Sequence, residues 1–144
     1  MTEEIAYHVL GPENARLLTG ARVFDNDVDP EQLAAFVADT GHMLVFATRG
    51  TSVVGMASGN VLLHPDKKPA FFVNEVGVRE DMRRRGIGTA LCRLLMKSAR
   101  DAGCRGIWLA TETGNIEARA LYRKLDARET DAVVVYDWDG ALDD

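Results

Sequence analysis

Three consecutive arginines run into two closely spaced glycines in Arg83-Arg84-Arg85-Gly86-Ile87-Gly88-Thr89. The segment stands between an apolar stretch, Phe71 to Val78, and a long amphipathic one. If the amphipathic stretch is a helix, its first N–H groups lack partners inside it, and the aligned peptide dipoles add partial positive charge there. Gly86 and Gly88 have no side chains to obstruct an anion approaching that backbone, and Arg83, Arg84 and Arg85 add full positive charge. A pyrophosphate fits such a site. The P-loop pattern is absent, because no Gly-Lys-Ser/Thr ending follows. The dinucleotide pattern fails as well, because its third glycine would fall at Leu91.

The elements that must hold this loop follow from apolar spacing. Ile87, Ala90, Leu91, Leu94 and Leu95 recur at helical intervals, which predicts a helix from about Gly86 to Ala102, ended by Gly103. Met43 to Thr48 and Val53 to Leu63 read as strands joined at Arg49-Gly50-Thr51, and Phe71 to Val78 as another. Ile5 to Leu10, Ile107 to Ala110 and Ala132 to Trp138 complete the expected strands. Helices are expected after Pro12, with Ala15, Leu18, Val23 and Phe24 apolar, and from Ile116 to Leu125. Another is expected from Pro30 to near Gly41, with Asp29 as cap and Gln32 completing a capping box. The expectation is an α/β fold, a mixed central sheet flanked by helices, as a single domain over residues 1–144.

Composition sets the outer limits. With 144 residues, 47% hydrophobic and 27% charged, the chain suits one soluble globular core. No apolar run reaches the length of a membrane span, and MTEEIAYHVL does not read as a signal peptide. Cys92 and Cys104 are too few for a disulfide framework and lack zinc-ligand spacing, so reduced thiols, a cytoplasmic location and no metal are expected. The net charge of −5 is unevenly spread. Between Arg79 and Arg105 eight Lys/Arg face three Asp/Glu, a balance of +5 that leaves −10 for the rest. That contrast suggests one anionic and one cationic ligand, and it makes a nucleic acid an improbable partner.

Arg83-x-x-Gly86-x-Gly88 after an apolar strand resembles the acetyl-CoA signature of the GNAT superfamily of N-acetyltransferases. Asn115-x-x-Ala118-x-x-Leu121-Tyr122-x-Lys124-Leu125 resembles that family's second coenzyme segment. The resemblance implies that loop amides over Arg83 to Thr89 hold the pyrophosphate, and that Val76 and Val78, flanking Gly77, offer backbone hydrogen bonds to the coenzyme. It further implies that Asn115 and Ala118 meet the pantetheine arm and that Tyr122 lies near the thioester sulfur. The family has glycine after Lys-Leu where this chain has Asp126.

Acyl transfer to an amine needs the neutral amine, and an amine with a pKa of about 10 must first lose a proton. Glu75 is the leading base, directly or through a water. Side chains alternate along a strand, so Glu75 and Gly77 should share a face, with space beside the carboxylate. Tyr122 would protonate the departing thiolate or hold its sulfur. Structural alternatives exist for both: an ion pair for Glu75 and core packing for Tyr122.

Most of the chain is also similar to type I aminoglycoside 3-N-acetyltransferases. The resemblance runs through Leu17 to Asp25, the group's first helix, through Val73 to Val78, and through Tyr122-Arg123-Lys124-Leu125 to Tyr136-Asp137-Trp138-Asp139. It implies an aminoglycoside as the small polycationic amine, and a homodimer to which the last strand could contribute. Asp25, Asp27, Asp29, Glu112, Asp137 and Asp139 are the carboxylates expected to bind that polycation, although Asp29 also suits a helix cap. Two other readings remain: the same chemistry on a polyamine, a peptide N-terminus or a lysine, and a non-catalytic acyl-CoA-binding module.

Overall fold

The computed structural model describes residues 4–140. The chain packs as two compact units, one running to Ala110 and the other starting at Thr111. The first unit holds a five-stranded mixed sheet in the order β1 (Ile5–Val9), β2 (His42–Arg49), β3 (Ser52–Leu62), β4 (Ala70–Val78) and β5 (Gly106–Trp108). β1 to β4 are antiparallel neighbours, and β5 runs parallel to β4. The helices of this unit are α1 (Pro30–Ala38) and α2 (Ile87–Asp101). The α/β architecture is therefore the one expected.

Each sheet face has its own core. On one, Val45, Ala47, Val54, Ala57 and Phe71 pack with Ile87, Leu91 and Leu95 of α2. On the other, Leu18, Leu44, Phe46, Val53 and Met56 pack beneath Leu17, Val23, Phe24, Leu33 and Phe36. Phe46 and Phe71 are fully buried, each removal from water contributing roughly 1.5–3 kcal/mol. The β2–β3 turn passes through Gly50 at φ 61°, and Gly103 at φ 93° follows the end of α2, two places where a side chain would be strained.

β4 departs from regular alternation. Ser58 opposes Glu75 and Gly59 opposes Val73, which leaves Asn74 as an extra residue in the ladder. Such a bulge reverses the facing of every later side chain. Phe71 and Val73 point to the α2 side before it, and Val76 and Val78 do so after it.

Two expectations are corrected. The helix after Pro12 is only a 3-10 turn at Ala15–Leu18. Thr19 is extended and Gly20 sits at φ 78°, so the hydrogen-bond ladder cannot propagate through Val23 and Phe24. Ala132 to Trp138 is not a strand. Its β-branched residues have the propensity, but a strand requires a ladder partner and none pairs with it among the described residues. The second unit contains α3 (Ile116–Lys124). No helix among the described residues is long and apolar enough to cross a membrane, and none of their His, Cys, Asp and Glu form a group that could hold a metal ion.

Candidate active site

The loop after β4 makes a short 3-10 turn at Glu80–Met82, whose Met82 is buried. It then delivers Gly86 to the cap position just before α2, at φ 79° and without a side-chain cap. Open space surrounds the position a Gly86 side chain would take. Ile87 and Thr89 bury their side chains, so what this turn offers outward is backbone. Arg84 and Arg85 are exposed, and Arg84 holds a left-handed φ of 64°, a strain that often marks ligand sites. The Arg83 Nε donates to the Val78 carbonyl at 3.3 Å, tying the loop to the end of β4. Arg79 is committed differently. It grips Asp81 at 2.8 and 2.9 Å and holds that carboxyl at about 2.

β5 accompanies β4 only from Ala70 to Phe72. From Val73 to Val78 no strand pairs with that edge among the described residues. An extended ligand with amide groups could hydrogen-bond there as a strand would. Open edge and uncapped helix start are consecutive in the chain, which suits a ligand with an amide-bearing arm and a pyrophosphate.

Glu75 and Gly77 occupy the face opposite Val76 and Val78, as alternation requires. The space over Gly77 is not empty, however. A side-chain carbon there would come within 2.8 Å of the Val23 carbonyl oxygen. The glycine admits the backbone of the 19–29 segment instead of leaving a void beside the carboxylate. This seating brings the Asp25 charge to bear on Glu75. Partial burial first, and the Asp25 charge second, raise the Glu75 pKa. A carboxylate so placed is a better proton acceptor than an ordinary one. The Val23 contact was not foreseen, and only a glycine between two strand valines hinted at it.

Asp27 is exposed, whereas Asp29 serves α1. Its Oδ1 accepts hydrogen bonds from the Glu31 and Gln32 amides at 2.9 and 3.3 Å. A hollow of about 550 Å³ lies among Leu17, Thr19 to Arg22, Thr51 to Val53, Arg79 and Asp81, and it includes neither Glu75 nor Gly86. Cys92 is buried, which pushes its thiol up to about 11 and leaves it no nucleophile.

In the second unit, Asn115 caps α3 by accepting the Ala118 amide on Oδ1 at 3.1 Å. Asn115 and Ala118 therefore have a structural task. Tyr122 is half-buried on α3, and its carbonyl accepts the Ala127 amide at 3.0 Å. Asp126 stands at φ 63°, so the turn keeps the backbone that glycine favours although the residue differs. Glu129 is held below the usual carboxylate range by Arg119 and Arg123. Glu112, Asp137 and Asp139 are exposed, and the Asp139 amide donates to Asp137 at 3.3 Å.

Comparison with known proteins accords with this geometry. Residues 13–127 match the sequence model of the Acetyltransferase (GNAT) family. An aminoglycoside acetyltransferase from an uncultured soil metagenomic sample, in complex with sisomicin, superposes with a TM-score of 0.81 at 16% identity, covering 93% of this chain and 95% of that one. AAC(6')-Iy in complex with the bisubstrate analog CoA-S-monomethyl-acetylneamine gives 0.78 at 18%, over 94% and 99%. The ribosomal-protein-alanine N-acetyltransferase of Brucella melitensis biovar Abortus 2308 gives 0.71 at 19%, over 94% and 99%. At such identities the likeness is one of fold. No curated protein matches the chain by sequence.

Proposed function

The chain belongs to the acetyltransferase (GNAT) family, and from that premise we propose that it transfers the acetyl group of acetyl-CoA to an amine of an aminoglycoside, as one catalytic domain over residues 1–144 in the cytoplasm. The observation that carries the reading is the uncapped start of α2 at Gly86, preceded by Arg83 to Arg85 and continuous with the open edge of β4. The Ile87, Gly88 and Thr89 amides would hold the pyrophosphate, and Val76 to Val78 the pantetheine arm. Glu75 takes the ammonium proton. The freed amine forms the C–N bond as the C–S bond breaks, and Tyr122 supplies a proton to the leaving sulfur. No metal is needed. That relatives of this fold were solved with sisomicin and with a CoA–acetylneamine analog supports the substrate class. The 3-amino group is the proposed position, and mass spectrometry of the product distinguishes it from a 6' amine.

Thiol release from acetyl-CoA across gentamicin, kanamycin, spermidine and lysine peptides tests the substrate. Saturable release with an aminoglycoside alone supports the reading, and activity only on another amine replaces it. Release with none of them, with acetyl-CoA still bound, favours a non-catalytic binding module. Glu75→Gln should lower kcat by about 100-fold or more with little change in acetyl-CoA affinity. Because a base must be unprotonated, the raised Glu75 pKa moves the acid-side fall of kcat/KM to higher pH than an unperturbed carboxylate would give. Asp25→Asn removes a charge that raises it, so the fall should move to lower pH.

We also propose a homodimer. Val133, Val134, Val135, Tyr136 and Trp138 are all exposed, a contiguous apolar run that isolated soluble chains seldom leave in water. A second copy of the chain is the proposed occupant, and sedimentation before and after Val134→Lys measures it.

A further inference from the structure

One face of the sheet is only partly covered. The turn at Ala15–Leu18, the segment after it and α1 lie over Leu44, Phe46, Val53 and Met56. Beyond them, toward β5, the same face exposes Asn74, Glu75 and Trp108. Met56 opposes Gly77, Ser58 opposes Glu75 and Asn60 opposes Phe72. Alternation along β3 then puts Gly77, Glu75 and Phe72 on the Met56 side. Trp108 of β5 is the register partner of Phe72. The two rings lie 4.4 Å apart at 46°, and Trp108 is 53% exposed. Beside them, the Asn74 Nδ2 donates to the Asn60 Oδ1 at 3.2 Å. The strip thus presents two aromatic rings, then two side-chain amides, then the Glu75 carboxylate.

We infer that Phe72 and Trp108 form the platform on which one ring of the acceptor stacks, so that an amine on the adjoining ring reaches Glu75. This rests on the proposed acetyltransferase reading. The occupant follows from what the strip carries. Indole and phenyl faces attract ammonium groups and C–H surfaces. The paired amides offer donors and acceptors to hydroxyls. Glu75, with Asp25 over the same strand, supplies the charge opposite to a polycation. A hydroxylated, polycationic ring uses all three. An acyclic polyamine brings ammonium groups but neither a ring C–H face nor hydroxyls, and a plain apolar partner would use only the platform. Three residues of strand separate Phe72 from Glu75, about 10 Å or less given the bulge. The acetylated amine is therefore on the ring next to the stacked one, not on the stacked ring itself.

The test combines tryptophan fluorescence with turnover. Trp138→Phe leaves Trp108 as the only tryptophan, and its emission is titrated with kanamycin and with spermidine. The platform predicts a saturable change with kanamycin at concentrations where spermidine gives little. Trp108→Ala should raise the KM for kanamycin about tenfold while KM for acetyl-CoA stays within about twofold, and Trp108→Phe should recover most of the loss. Kanamycin turnover with an unchanged KM in Trp108→Ala and no emission change overturns the platform and leaves the proposed function standing. Equal loss toward both substrates, unrescued by phenylalanine, also overturns it, as the mark of a folding defect. Saturable emission change without thiol release keeps the platform and removes the activity. Absence of both signals removes both.

Discussion

At the start of α1, the Asp29 Oδ1 accepts hydrogen bonds from the Glu31 and Gln32 amides, and Pro30 has no N–H to satisfy. At the start of α2 stands Gly86, with no side chain to offer and three arginines before it. Both helices begin with N–H groups that lack helical partners. α1 satisfies them from its own sequence and is complete. α2 forgoes a cap worth about 1 kcal/mol and concentrates positive charge in its place. α3 follows α1, since Asn115 accepts the Ala118 amide. The difference teaches that a missing cap carries information: the helix start that leaves its amides open is the one adjoining an unpaired strand edge.

The contrast can be broken by giving α2 what α1 has. Gly86→Asp places a carboxylate at the open amides, and acetyl-CoA affinity should fall about 100-fold by calorimetry, with a fall in Tm of a few degrees because φ 79° strains any side chain. An unaltered affinity would show that the open start is not the anion site. Arg84→Ala should cost about tenfold in affinity. Arg84→Gly should cost the same while gaining about 1 kcal/mol of stability by relieving the left-handed φ. The reverse experiment is Asp29→Ala. It should lower stability by about 1 kcal/mol in chemical denaturation and leave acetyl-CoA affinity untouched. A concurrent rise in the KM for the amine would give Asp29 a substrate role beside its cap. The smallest effect belongs to Asp126→Gly, which should stabilise by about 0.5–1 kcal/mol, because φ 63° suits glycine better than aspartate.

The parts of the fold that follow local rules were legible beforehand. Helical spacing from Ile87 to Leu95 located α2, and Asp29-Pro30 located the start of α1 to the residue. The valine-rich stretches located β2, β3 and β4, because each had neighbours to pair with. Ala132 to Trp138 has the same residue types and no ladder, so propensity without a partner misled. The segment from Ala15 to Phe24 misled for a second reason. Its apolar spacing is helical, but Val23 is drawn across Gly77 by a contact far away in sequence. In the site, the open start of α2 at Gly86 and the exposed arginines before it could be read from residue types, since they depend on adjacent backbone. The Asp25–Glu75 relation could not, because the 19–29 segment crossing Gly77 creates it, nor could the Phe72–Trp108 pair, which strand register creates.

The extra residue at Asn74 acts as a change of phase within β4. Ahead of it, odd-numbered side chains enter the α2 core; behind it, even-numbered ones do. Were Asn74 drawn into the ladder opposite Ser58, the strand would keep its sequence and direction, yet Glu75 would fall opposite Ala57 and be driven into the apolar interior, with Val76 turned toward the other face. The presence of a proton acceptor on that face is thus a matter of parity. It depends on Asn74 standing outside the ladder as much as on which residue carries the carboxylate.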